Sequence, residues 1–123
     1  MGQFFSKMPQ TDEESIRKEV ESSPVVLYTR PKCHYCAKAK LLLDSRQVKY
    51  KETDLDAHER WHPEQHQSFV NGLVHITKQT SVPQIFICGK FIGGFLELQQ
   101  LNNAGKLLDA IAKCHPSSET NSE

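Results

Sequence analysis

The chain has 123 residues, enough for one small domain with a single core. Lysine plus arginine and aspartate plus glutamate balance at 15 each, so bulk charge does not point to nucleic acid or an anionic membrane as a partner. Four cysteines in this length do not make a dense disulfide framework, and no run of about 18 apolar residues is present to span a bilayer.

Residues 1–10 read as a flexible polar leader. The opening Met1-Gly2-Gln3-Phe4-Phe5-Ser6 also matches the N-myristoylation pattern, which marks Gly2 as a lipidation site. A single acyl chain would hold a membrane only weakly and reversibly. The terminus lacks the basic segment and apolar core of a secretory signal. Only two of the cysteines are close together in sequence, so a reducing, cytoplasmic setting is expected.

Thr11-Asp12-Glu13-Glu14 has the form of a capping box, with Thr11 as N-cap of a helix that carries Ile16 and Val20 and stops at Ser22-Ser23-Pro24. Val25 to Thr29 is β-branched and aromatic, the mark of a buried strand. A helix is expected from about His34 to Ser45, with Ala37, Leu41 and Leu42 facing the sheet. Val48 to Glu52 alternates apolar and polar, as a half-buried strand does. Asp54 to His62 is polar and charged; Pro63 suits the first turn of a helix running to Thr77, with Phe69, Val70, Leu73 and Ile76 inward and a break allowed near Gly72. Gln84 to Cys88 is a further strand, Cys88-Gly89-Lys90 a tight turn and Phe91-Ile92 its returning partner. After Gly93-Gly94, two short helices carry Leu98 and Leu101, then Leu107, Leu108 and Ile111; His115 to Glu123 is a polar tail expected to be disordered. The order predicts one α/β domain over residues 11–114, a small mixed sheet flanked by helices.

Cys33-His34-Tyr35-Cys36 follows the first strand and opens a helix. Unpaired N–H groups and the positive dipole end at that boundary favour a thiolate over a thiol, and Arg30 and Lys32 add positive charge. Cys33 is the expected nucleophile and Cys36, one turn inside, the resolving thiol. Zinc ligation would need a second ligand pair, and Cys88 and Cys114 look isolated from one another. Cys88 reads as an exposed, oxidisable turn thiol and Cys114 as a buried filler or a regulatory thiol. His58, His62 and His66 recur every four residues, but Pro63 interrupts any single helix through them, which favours solvent-facing histidines.

Arg30-Pro31-Lys32-Cys33-His34-Tyr35-Cys36, Thr80-Ser81-Val82-Pro83 and Gly89-Lys90-Phe91-Ile92-Gly93-Gly94 with Glu97 beyond, in this order across residues 14–114, resemble the dithiol glutaredoxins. The resemblance implies the thioredoxin-like fold, a central four-stranded mixed sheet flanked by helices. It implies a glutathione-dependent thiol–disulfide oxidoreductase that reduces protein–glutathione mixed disulfides and protein disulfides. Glutathione would be met by Arg30 and Gln79, by Tyr35 beside the sulfur, and by the backbone at Val82 before a cis Pro83. Past Gly94, backbone donors at Phe95 and Leu96 would receive its γ-glutamyl carboxylate, and Glu97 its amine. The pair Phe95-Leu96 departs from the small or polar residues usual there, and the resemblance then implies lost side-chain capping and weaker glutathione binding. His34 replaces a familiar proline; relatives lacking it can hold a [2Fe–2S] cluster across a dimer through the first cysteine and glutathione. A monomer, such a cluster-bridged carrier or sensor, and a non-catalytic glutathione-binding module are thus the alternatives.

Overall fold

The computed structural model describes residues 11–114. The Gly2 acylation pattern, the leader up to residue 10 and the tail from His115 lie outside them.

In chain order the elements are α1 (Glu13–Glu21), β1 (Val25–Thr29), α2 (His34–Ser45), β2 (Lys51–Asp54), α3 (Leu55–Trp61), α4 (His66–Thr77), β3 (Gln84–Ile87), β4 (Lys90–Gly93), α5 (Phe95–Asn103) and α6 (Leu107–Ala112). The strands form one sheet in the order β2-β1-β3-β4, with β1 and β2 parallel and the other pairs antiparallel. This is the four-stranded mixed sheet of the thioredoxin-like fold. β1 is an inner strand covered on both faces, so all five of its residues are buried. Its alternation sends Val26 and Tyr28 to one core with Ile16, Val20, Leu55, Phe69, Leu73 and Phe86, and Val25 and Leu27 to the other with Ala39, Leu43, Ile85, Leu98 and Leu107. The Tyr28 hydroxyl donates to Glu19 Oε1 at 2.5 Å, and Thr53 donates to Glu19 Oε2 at 3.0 Å, tying α1 to β1 and β2. Burial first, and then the Glu19 carboxylate, raise the Tyr28 phenol far above its ordinary pKa.

Several boundaries differ from expectation for local reasons. Asp12, not Thr11, caps α1, its carboxylate accepting from Ser15 N at 3.3 Å. In α2 the inward residues are Cys36, Ala39 and Leu43; Ala37 and Leu41 face solvent, and Leu42 packs at the margin of the core. The strand expected at Val48 to Glu52 begins only at Lys51, where pairing to Val26 starts. The polar stretch after Asp54 is a helix, α3, because the Asp54 carboxylate accepts from both Asp56 N at 2.8 Å and Ala57 N at 3.2 Å. α4 begins at His66, after a turn that contains Pro63, and continues unbroken through Gly72. β3 ends at Ile87, and Cys88 and Gly89 form the turn, both with positive φ (55° and 78°).

Two further expectations are corrected by non-local contacts. Cys88 and Cys114 are not isolated: they form a disulfide, Cα atoms 4.8 Å apart, that ties the β3–β4 turn to the end of α6. Closing a loop of 26 residues stabilises a fold by about 3 kcal/mol in chain-entropy terms. The three histidines are not separate surface residues either. His58 Nδ1 lies 3.0 Å from His66 Nδ1, and the His58 ring stacks on Phe69 (centroids 4.4 Å apart) with His62 beside it. Among the described residues no group of three His, Cys, Asp or Glu side chains is arranged to hold a metal ion.

Gly72 is where α4 approaches α1. A Cβ there would stand 2.8 Å from Ile16 Cδ1 and 3.2 Å from the Asp12 backbone. Gly72→Ala therefore destabilises the fold by about 1–2 kcal/mol in urea unfolding, although alanine is the better helix former by about 1 kcal/mol. The histidine pair makes a second prediction. Burial against Phe69, then the His66 and His62 charges, hold the His58 imidazole below its ordinary value of 6.5, with Glu19 and Asp12 opposing. Below pH 6.5 the unfolded chain then binds more protons than the folded one, so stability falls as pH falls. Thermal melts from pH 7 to pH 5 should show a smaller loss for His66→Gln than for the parent; equal losses would acquit the pair.

Candidate active site

β1 delivers the chain to the sheet rim at Arg30, and a tight turn from Arg30 to Cys33 (Cys33 N to Arg30 O, 3.3 Å) sets the start of α2. Cys33 is the N-cap, and its sulfur occupies the place of a capping oxygen, accepting from Cys36 N at 3.0 Å. Cys33 and Cys36 are joined as a disulfide, Cα atoms 5.1 Å apart. Cys36 is buried (1% exposed), whereas Cys33 is only partly covered. The two cysteines thus differ as an accessible and an inner sulfur should.

Opposite Cys33 stands the turn before β3. The Val82–Pro83 peptide is cis, and the Cys33 sulfur lies 3.6 Å from the Val82 carbonyl oxygen. Two side-chain amides brace this turn. Gln79 Nε2 donates to Ser81 O at 2.8 Å and Pro83 O at 3.2 Å, and the buried Gln84 donates to Gln79 O at 2.7 Å and Ser81 O at 3.2 Å.

A groove of about 250 Å³ opens on this turn. Gln79, Val82 and Pro83 line one side, Gly94, Phe95, Leu96 and Glu97 another, and Tyr35 closes it towards the cysteines. The Tyr35 and Phe95 rings stack at 6.0 Å, and Lys38 Nζ stands 5.3 Å and 5.9 Å from their centroids. Leu96 is 58% exposed at the groove edge. A second depression, which shares Val82, holds Arg30, Lys32, Cys33 and Asp56.

The expected site residues thus line two depressions that share Val82, Arg30 in the one that holds Cys33 and the others in the groove beside it, but three polar groups are already engaged. Arg30 Nη1 is paired with Asp56 Oδ1 at 2.6 Å. The Gln79 amide is spent on the turn backbone. Glu97 folds back over the glycine pair and accepts from Gly94 N at 2.8 Å, and the first helical bond of α5 runs from Leu98 N to Gly94 O at 3.1 Å. No N-cap side chain accepts from the first turn of α5, as expected; Glu97 closes only on the Gly94 N–H. Asp56 and Lys38 are contributors that the motifs did not name, and Ser81 lies within one of them without having been singled out; Lys38, three residues after Tyr35 on one helix, carried the readable signal.

An iron–sulfur cluster takes four ligands. Among the described residues the site offers one surface sulfur, Cys33, engaged in the disulfide, with Cys36 buried behind it. This chain alone supplies one of the four ligands, and the bridged arrangement would need a second copy and two glutathione sulfurs for the other three.

Comparison with known proteins agrees with this geometry. The glutaredoxin family model matches residues 25–92. Mouse mitochondrial glutaredoxin-2 is 31% identical over 112 residues, covering 91% of this chain and 69% of the relative. Chloroplastic glutaredoxin-C5 of Arabidopsis thaliana is 37% identical over 104 residues, 85% of this chain and 55% of the relative. A buckwheat glutaredoxin solved as a glutathione complex superposes with a TM-score of 0.72 at 29% identity, covering 82% of this chain and 87% of that one. The chain belongs to the glutaredoxin family, and its Cys33–Cys36 pair makes it a thiol–disulfide oxidoreductase of the dithiol kind.

Proposed function

We propose that this oxidoreductase works with glutathione and reduces protein–glutathione mixed disulfides, with protein disulfides as a second substrate class. The observation that carries the reading is the Cys33 sulfur, set at a helix N-terminus and facing the Val82 backbone beside an open groove. A buckwheat relative of the same fold was solved as a complex with glutathione, which supports that ligand.

In the reduced enzyme the helix terminus and Lys32 favour the Cys33 thiolate. That thiolate attacks the glutathionyl sulfur of the mixed disulfide, and the protein thiolate leaves and takes up a proton. A second glutathione thiolate attacks the Cys33–glutathione bond, releasing oxidised glutathione and regenerating Cys33. With a protein disulfide, Cys33 attacks one sulfur and expels the other as a thiol. Cys36 then attacks the mixed disulfide on Cys33, expels the second protein thiol and closes the Cys33–Cys36 bridge, which two glutathiones reopen with release of oxidised glutathione. Leaving-group acidity and thiolate fraction set the rates. The extended tripeptide would pair with the Val82 backbone, and the Tyr35–Phe95 stack would wall the groove.

Glutathione's two carboxylates must compete for their receptors. One exchanges with Asp56 for Arg30, the other with the Glu97 carboxylate for the N–H of Gly94, beside the N–H groups of Phe95 and Leu96. Recognition is therefore an exchange of one ion pair and one charge-assisted hydrogen bond, which supports the weaker affinity expected from the sequence. A cytoplasmic setting, with reversible membrane contact through a Gly2 acyl chain, belongs to the same proposal.

A glutathione-coupled turnover assay tests the reading, since a non-catalytic binding module would give none. Cys33→Ser should abolish deglutathionylation while Cys36→Ser keeps much of it; the opposite ranking would refute the assigned roles. Asp56→Asn frees Arg30 from an exposed ion pair worth up to about 1 kcal/mol. Its KM for a glutathionylated peptide should fall by up to about fivefold at little change in kcat. An unchanged or higher KM would mean that Arg30 does not meet the ligand.

A further inference from the structure

The second disulfide lies at the far end of β1 from the first. Cys88 N donates to Pro24 O at 2.9 Å, just before β1 begins, whereas Cys33 follows its other end. The length of β1 alone, roughly 15 Å for five residues, separates the two regions. The inner sulfur of one pair therefore cannot serve the other.

We propose that Cys88–Cys114 is a second redox centre, opened and closed by small monothiols of the glutathione class, and not a permanent staple. The proposal stands apart from the function of the groove and does not rest on it.

Backbone conformation is the first argument. Cys88 holds φ at 55° in the first position of a hairpin turn that asparagine or glycine fills without strain. Access is the second. Both cysteines are only partly covered, and an open depression lies on each side of the bond. One is lined by Glu21, Ser23 and Pro24; the other is apolar, formed by Ile92, Leu101 and Ala110, and carries Lys90 and Lys113. An anionic thiolate is attracted to the lysine side, where a departing thiolate is stabilised as well. The third argument is the short anchor: α6 has six residues, with Leu107 fully buried and Ala110 and Ile111 packed at the margin of the core, and Cys114 lies past its last turn. Exposed or strained disulfides are the labile ones.

The chemistry balances with two monothiols. The first thiolate attacks Cys114 Sγ, the Cys88–Cys114 bond breaks, and Cys88 leaves as a thiolate that takes a proton. The second thiolate attacks the mixed disulfide on Cys114. The oxidised dimer of the monothiol leaves, and Cys114 is protonated. Two monothiols lose two electrons and two protons, and the protein gains them as two thiols. The same dimer acts as the oxidant in the reverse direction.

The test is an anaerobic titration of the full chain carrying Cys33→Ser and Cys36→Ser in glutathione buffers from an oxidising secretory to a reducing cytosolic poise. Samples are quenched with acid, alkylated and weighed intact, with far-UV circular dichroism confirming the fold at each end. The expected result is a two-alkyl mass step that moves from absent to complete within that range. A pair still closed in the most reducing buffer, or already open in the most oxidising one, overturns the proposal. If the double variant does not fold, peptide mapping of residues 88 and 114 in the parent chain gives the same answer. A charge-reversed variant, Lys90→Glu with Lys113→Glu, should slow opening by glutathione several-fold; an unchanged rate rules out the lysine side as the approach.

Discussion

A sulfur atom stands where helix α2 needs a capping oxygen, and most of the site's geometry follows from that. The hydrogen bond from Cys36 N to the Cys33 sulfur fixes the sulfur against the amide end of the helix. It also turns the sulfur towards the Val82 carbonyl instead of into the core. The same contact that starts the helix would steady negative charge on the nucleophile. Such an arrangement needs a rigid support on its strand side, and β1 provides it. Buried on both faces between β2 and β3, β1 cannot shift without disturbing both cores at once.

The groove beside that sulfur is held in shape by its own polar groups. Gln79 and Gln84 hold the turn that presents Val82, so their amides act first as scaffold. Arg30 and the Gly94 N–H are held by carboxylates of the chain itself. These pairs keep charged and polar groups satisfied when nothing is bound. They also set a cost on any anionic ligand, which must displace one carboxylate to bind its receptor. The aromatic wall of Tyr35 and Phe95 carries no such cost, since Lys38 lies over the rings without occupying the groove.

Where the sequence signal was local, it was legible. Strand β1, the cysteine motif, the hairpin turn at Cys88-Gly89 and the run into Val82-Pro83 each announce themselves within a few residues. Helix α2 shows the limit: Leu41, Leu42 and Leu43 are consecutive, and a helix can bury only part of such a run. The face was set by Cys36, which must reach inward, and Ala39 and Leu43 follow it at spacings of three and four. Helix α3 was hidden because its sequence is charged and its start depends on one side chain, Asp54. The pairing of Cys88 with Cys114 crosses a loop that no periodicity reports, and the four-residue recurrence of the histidines is visible but discounted by Pro63, which breaks the helix between His58 and His66. The internal partners of Arg30 and Glu97 are invisible for a similar reason: a motif names a side chain but not what it already holds.

The long connection between β2 and β3 has its explanation in the register of the sheet. Parallel pairing sets Thr29 of β1 opposite Asp54 of β2. Just past that pair both strands end at the same rim, one leading to Arg30 and Cys33, the other into α3. Asp54 turns the chain into a helix by taking up two of its free N–H groups, which puts Asp56 in the first turn. Arg30 and Asp56 then meet as a consequence of strand register and a single cap. The remainder of the connection, α4, pays back the length by packing on α1 at Gly72 and on β1 through Phe69. The Asp54 cap and the β1–β2 register thus bring the Arg30 and Asp56 backbones together, while the pair itself, exposed on both sides, stays free to exchange partners.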